Sequence, residues 1–189
     1  MDSKVIFSFD IEADGQGPLS GSMIGLGIAV LNTSGVLLDS LEVAIERRPE
    51  AGSDPDTMEW CLKQHEMWQW ATGPEAVSPK TAMWRVGKLY SKWSKTHKVE
   101  WMAQPACFDW MFLKSYYQAF VSVGAPDIGF SCTCFSTLRK KWLKDNGMPR
   151  EEYNLLREPY VEGVEEDSHF PLQDAIFQGR EYLGFLKFS

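Results

Sequence analysis

Basic residues are in the minority in this chain: 19 Lys and Arg stand against 26 Asp and Glu, for a net charge of −7. That balance excludes a protein that coats nucleic acid through general basicity, although it leaves local phosphate contacts open. Cysteines are scarce too, four in 189 residues and irregularly placed. A disulfide framework is therefore not expected, and Cys61 and Cys107 fall inside segments that read as packed helices, so reduced thiols fit best. Long apolar runs are missing. The stretch from Val5 to Phe9 is cut by Asp10 and Glu12, and no later run approaches the length of a membrane span. The expectation is a soluble, cytoplasmic protein without a membrane partner, and no internal repeat or low-complexity tract complicates it.

What is present suits one packed domain spanning 1–189, since 44% hydrophobic and 13% aromatic content can fill a single core. A first strand runs from Lys4 through Phe9 and straight on. A Gly/Ser/Pro segment from Ala13 to Ser22 follows. Then come two apolar runs, Met23 to Leu31 and Val36 to Ile45, with turn residues Asn32 to Gly35 between them, which predicts an antiparallel hairpin. Thr57 to Trp70 reads as a helix capped by Asp56 or Thr57. Pro79 to His97 is a clearer helix, with Ala82, Val86, Leu89 and Trp93 on one face and Arg85, Lys88, Lys92 and Lys95 beside it. Val99 to Ala103 reads as a buried strand, Cys107 to Val121 as a helix, Ile128 to Ser131 as a short strand, and Phe135 to Asp145 as a basic helix. Asn146 to Ser168 reads as a long irregular connection with one helical turn near Leu155, and a last helix spans Phe170 to Leu186. This order gives an α/β domain with a mixed sheet flanked by helices.

Two acids stand one residue apart on the first strand, Asp10 and Glu12. Strand side chains alternate between faces, so both carboxylates point the same way despite their repulsion, a conflict that a divalent cation resolves. Asp109, in Phe108-Asp109-Trp110, and Asp174, in His169-Phe170-Pro171-Leu172-Gln173-Asp174, supply two further acids, with a histidine beside the last. Asp174 lies between Leu172 and Ile176 in an otherwise apolar helix, where a carboxylate is costly unless paired or metal-bound.

In this order and spacing the segments resemble the DEDDh 3′→5′ exonucleases of the ribonuclease H-like fold, a group that includes ribonuclease T, oligoribonuclease and polymerase proofreading subunits. Asp10 and Glu12 match the first motif, Phe108 and Asp109 the second, and His169 with Asp174 and Ala175 the third. Gln104 departs from the Asn that the second motif favours. The long Gly15 to Ser22 segment is closer to phage-type and mycobacterial-type members. The resemblance implies three antiparallel strands followed by parallel ones, and 3′→5′ hydrolysis of single-stranded DNA or RNA ends that releases nucleoside 5′-monophosphates. It also implies two Mg²⁺ or Mn²⁺ ions held by Asp10, Glu12, Asp109 and Asp174, with His169 as general base. Hard cations prefer such oxygen ligands, and a metal pair relieves the charge that develops in phosphodiester hydrolysis. Trp60 and His65 are similar to residues lining the terminal-nucleotide pocket of oligoribonuclease-like members, and Ala13 and Phe108 join them as substrate-binding candidates.

Ordinary roles stand beside these. Asp109 suits a helix first turn whether or not it binds metal, and the bases of the Arg85 stripe and of Arg139, Lys140, Lys141 and Lys144 are either solvated faces or guides for a single strand. Cys132 and Cys134 lack a second pair at zinc-ligand spacing and read as packing. Trp68, Trp70 and Trp142 would fill either the core or a homodimer interface. Two alternative functions remain at this stage: an end-binding module without turnover, and a proofreading subunit serving a polymerase.

Overall fold

The computed structural model describes residues 3–121, 123–166 and 168–189. Five strands form one mixed sheet in the order β3-β2-β1-β4-β5. Strands β1 (Ser3–Ala13), β2 (Met23–Asn32) and β3 (Leu37–Ala44) are consecutive antiparallel neighbours, whereas β4 (His97–Ala103) and β5 (Thr133–Cys134) run parallel to β1. The expected hairpin is present, its turn held by Asn32 Oδ1, which accepts from the Ser34 and Val36 amides.

Alternation along β1 divides the molecule into two layers. Val5, Phe7, Phe9 and Ile11 belong to a core shared with helices α3 (Pro79–Ser94) and α4 (Ala106–Phe120), through Val86, Phe112 and Tyr116. Ile6 faces the other way. It packs with Ala29, Leu31 and Met102 against helices α5 (Phe135–Asn146), α6 (Arg150–Val161) and α7 (Pro171–Phe188). Asp10 and Glu12 have the parity of Ile6 and so lie on the α7 side of the sheet.

On that side the register places small residues opposite polar ones: Ser8 pairs with Ala29, Asp10 with Gly27 and Glu12 with Gly25. The consequence is close approach of α7. A β-carbon on Gly27 would stand 2.1 Å from the Pro171 carbonyl carbon, and one on Gly179 would stand 2.7 Å from Ser8 Cβ. Helix α7 therefore lies directly on β1 and β2, stitched by Gln178 Nε2, which donates to the Phe9 carbonyl at 2.7 Å. Its first turn is anchored by Glu42, whose Oε1 accepts from the Leu172 amide at 3.2 Å.

Several local expectations are corrected. The helix read over Thr57 to Trp70 is two helices, α1 (Pro55–Lys63) and α2 (His65–Ala71), broken at Gln64. Cys61 of α1 turns toward the Ala13 carbonyl, while Met67 and Ala71 of α2 pack on Ile24, and one straight helix cannot serve both surfaces. Asp54, not Asp56 or Thr57, caps α1, accepting from the Thr57 amide at 2.9 Å, with Pro55 in the first turn. The short strand lies at Thr133–Cys134, because Ile128 is a buried plug of the α3/α4 core and Phe130 points outward. Cys107 is exposed rather than packed, although Cys61 is buried.

The segment read as irregular contains the three-turn helix α6. Its buried face carries Tyr153 and Arg157 rather than leucines, and Leu155 is 70% exposed. Arg139 is also buried, so it is no phosphate guide: its Nη1 pairs with Glu181 Oε1 at 2.8 Å, and Tyr153 donates to the same oxygen at 2.8 Å. Trp142 packs against Phe185 and Phe188, and Trp68 and Trp70 pack around Ile24 and Met67, so these rings are committed to the fold. Among the described residues, no helix is long and apolar enough to cross a membrane. Asp167, which closes the acidic run after Glu162, lies outside the described residues.

Candidate active site

β1 and β4 run parallel, so their C-terminal ends share one edge of the sheet, the edge at which open α/β sheets place ligands. There a cavity of about 350 Å³ is lined by Asp10, Glu12, Ala13, Trp60, Phe108, Asp109, His169 and Asp174, together with Gln104, Glu166 and Gln178. Each functional group is carried by its own element: the acid pair by the end of β1, Asp109 by the first turn of α4, Asp174 by the first turn of α7, Trp60 by α1, and His169 by the loop leading into α7. Helix first turns favour carboxylates, since the N-terminal amides carry a partial positive charge.

Glu12 and Asp174 lie with His169 so that one ligand atom from each falls within 4.8 Å of the others. Asp174 is held from behind: its Oδ1 accepts from the Ser168 amide at 2.9 Å and the Ser168 hydroxyl at 3.0 Å. That pair of bonds also fixes the loop bearing His169, whose backbone adopts a left-handed conformation with φ of 57°. The imidazole meets the Trp60 ring edge to face at 5.1 Å between centroids. Trp60 itself is 38% exposed and open to a stacking partner.

His65 does not line this cavity. It stands exposed on α2, in a neighbouring depression bounded by Ser168, His169 and Phe170. Among the lining residues that the sequence reading passed over are Gln178 and Glu166. Gln178 lies one helical turn beyond Asp174, a spacing that was visible in the sequence. Glu166 had no distinguishing signal within its acidic run; Arg157 grips it through two bonds of 2.8 and 2.6 Å and rests over the Phe177 ring.

Burial holds three of the acids above their ordinary range. Burial, with Asp174 and Asp109 nearby, raises the Glu12 carboxyl from 4.5 to about 8. Burial raises Asp109 from 3.8 to about 7 against the opposing pull of the Ile11 amide. Asp174 is raised as well, by burial. Asp109 Oδ2 is buried without a hydrogen-bond partner. A buried carboxylate oxygen without a partner, in a cavity also lined by Asp10, Glu12 and Asp174, is costly in a protein interior and suits a cation, so the donor set fits hard divalent ions.

These shifts predict how stability depends on pH without metal. An acid whose pKa is higher in the folded protein binds more protons when folded. Its contribution is therefore complete below the unfolded value near 4 and is lost as pH rises through the folded values of about 7 and about 8. Urea denaturation in chelator will show stability falling by a few kcal/mol from about pH 5 to about pH 9, and added Mg²⁺ or Mn²⁺ will flatten the curve.

Neither a family model nor a curated protein matches the sequence. Among solved structures, the nuclease domain of 3′hExo, a DEDDh family member bound to rAMP, aligns with a TM-score of 0.70 at 14% identity, covering 99% of this chain and 94% of that one. S. pombe Pop2p, in a form with Mg²⁺ and Mn²⁺ bound, aligns at 0.58 and 12% identity, covering 94% and 81%. The zinc-bound E. coli ExoI–ssDNA complex aligns at 0.66 and 14% identity, covering 98% of this chain and 40% of that one. With this sheet order and these acids at the end of β1, the chain has the ribonuclease H-like fold of the DEDDh exonucleases.

Proposed function

We propose that the protein is a DEDDh-type, metal-dependent 3′→5′ exonuclease that removes nucleoside 5′-monophosphates from single-stranded nucleic acid. The observation that carries this reading is the convergence of Asp10, Glu12, Asp109, Asp174 and His169, from distant stretches of chain, on one cavity. Asp10, Glu12, Asp109 and Asp174 would hold two Mg²⁺ or Mn²⁺ ions. Bound there, the ions would supply neutralisation of phosphate charge and Lewis acidity toward the reacting oxygens.

The remaining work falls to this chain's own residues. Trp60, half-exposed at the rim, would give the terminal base a face to stack on, and Phe108 and Ala13 line the same cavity. His169 takes the proton of the attacking water. Its ring is held by the Trp60 contact and its backbone by Ser168 and Asp174, so little reorganisation is needed at the moment of transfer. Burial of Glu12 and Asp109 limits the screening by bulk water of the charges that would act on the phosphate.

The test is a product ladder from 5′-labelled single-stranded DNA and RNA incubated with Mg²⁺, Mn²⁺ or chelator. Stepwise shortening from the 3′ end is expected with either metal and none with chelator, and Asp10→Ala will abolish it. Shortening that persists in chelator or in Asp10→Ala would refute the reading, and strand binding without shortening would mark an end-binding module instead.

A further inference from the structure

Helix α3 carries Lys80, Arg85, Lys88 and Lys92 and not one acid between Pro79 and Ser94. In a chain of net charge −7 this is a local reversal of sign. All four basic side chains are exposed. Among the described residues, only Lys92 of the four has an acidic partner, Asp39 at 2.6 Å. Lys80, Trp84, Lys88 and Lys92 recur every fourth residue and so form one line along the helix, with Arg85 beside it.

Trp84 stands in the middle of that line, 55% exposed. Its neighbours Met83 and Val86 are fully buried, so the core is filled without it. The Lys88 ammonium lies 5.4 Å from the centre of its ring. Depressions flank the indole. One is a groove of about 260 Å³ bounded by Gly87, Lys88, Ser91 and Pro126, and the other is bounded by Ser40, Leu41, Arg85 and Lys92. An aromatic face between grooves, bordered by Lys80, Arg85 and Lys88, which have no acidic partner among the described residues, and by Lys92, which pairs with Asp39, suits bases and phosphates in alternation.

The stripe begins near the end of the sheet where the acids sit. Val77, just before α3, bridges to Ile45, whose amide donates to Ile24, beside the Gly25 that pairs with Glu12. The N-terminal end of α3 therefore lies toward the same end of the sheet as the acids, though α3 packs on the opposite face from them, and the helix runs away from that end for 16 residues, about 24 Å.

We infer that this face of α3, centred on Trp84 with Lys80, Arg85, Lys88 and Lys92, is a docking track for the body of a single strand whose 3′ end lies in the cavity. The inference rests on the proposed exonuclease reading for its ligand and deepens it, since it assigns the grip on nucleotides upstream of the cleaved bond. Phosphates meet the cations, and a base stacks on the indole. Long strands are thereby favoured over short ones.

The test compares the wild type with Trp84→Ala and with the double variant R85E/K88E, whose substituted side chains are exposed and outside the core. Binding of a labelled single strand of about 20 nucleotides is measured in chelator across a salt series, and turnover of that strand and of a dinucleotide is measured with Mn²⁺. Each variant will weaken strand binding about tenfold or more. The charge reversal will lower the slope of log affinity against log salt by roughly 0.7 for each phosphate that is no longer neutralised. Dinucleotide turnover will not change. Unaltered strand affinity and salt slope, or an equal reduction on the dinucleotide, would overturn the track. Because binding in chelator needs no turnover, a wild type that binds through α3 yet releases no nucleotide would refute only the exonuclease reading.

Discussion

Gly27→Ala will cost the protein a large part of its stability and, in whatever fraction still folds, reduce the proposed nuclease activity by roughly 100-fold or more. The added methyl would sit 2.1 Å from the Pro171 carbonyl carbon, 2.2 Å from the Leu172 nitrogen and 2.3 Å from the Pro171 oxygen. These are backbone atoms of the first turn of α7, so no rotamer change relieves the clash and the helix end must lift from β2. Overpacking of this kind typically costs about 1–3 kcal/mol, and more where the obstacle is rigid, against a net stability of about 5–15 kcal/mol. Activity suffers separately. The turn that lifts carries Asp174 and the loop of His169, and the Glu42 bond to the Leu172 amide goes with it. Denaturation midpoints and strand-cleavage rates measure the two effects. Gly17→Ala is the control, because its methyl would meet nothing nearer than Met111 Cε at 3.7 Å. Equal midpoints for the two variants would show that α7 does not depend on the gap at Gly27.

This close approach also marks the limit of what the sequence disclosed. Asp10 and Glu12 could be assigned to one face because strand geometry obliges it, and the acids of α4 and α7 could be placed at helix starts from their flanking residues. The Gly25-x-Gly27-x-Ala29 alternation on the second strand was equally visible, and it is the reason those acids can meet. It carried no meaning until the register set it opposite Glu12, Asp10 and Ser8. Helix α6 escaped for the opposite reason. Sequence periodicity looks for apolar residues on the buried face, whereas α6 buries Tyr153 and Arg157 toward Glu181 and leaves Leu155 and Leu156 exposed. A helix held by a buried ion-pair network has its polar and apolar faces reversed, and only the partner helix reveals it. Arg139 was misplaced by the same network. His65 was tied to the nucleotide pocket by resemblance alone, and the break at Gln64 turns it onto a separate surface beside the His169 loop.

Asp109→Asn will stabilise the metal-free protein above neutral pH while lowering the proposed nuclease activity by at least roughly 10²- to 10³-fold. The substitution preserves shape: the amide oxygen can still accept from the Ile11 amide, as the carboxylate does, and the nitrogen replaces the orphaned Oδ2. What changes is charge. Asp109 is nearly fully buried and held up to about 7, so at pH 8 the wild type keeps an unfavourable anion beside a Glu12 carboxyl that is itself raised to about 8. Removing that anion relieves both groups, and the loss of stability with rising pH becomes shallower. The same anion is what a divalent ion would use. A ligand that binds only the folded state stabilises it by about 2.7 kcal/mol at one hundred times its dissociation constant, and this increment should shrink or vanish in the variant. Thermal melts with and without Mn²⁺, at about pH 6 and about pH 8, give all four quantities. A variant that is more stable than wild type in chelator, no longer responsive to Mn²⁺ and unable to shorten a strand fits a carboxylate kept for its charge. A variant that is less stable in chelator at both pH values would mean that Asp109 serves the fold through its bond to Ile11, and the cation-site assignment would lose one of its four proposed carboxylates.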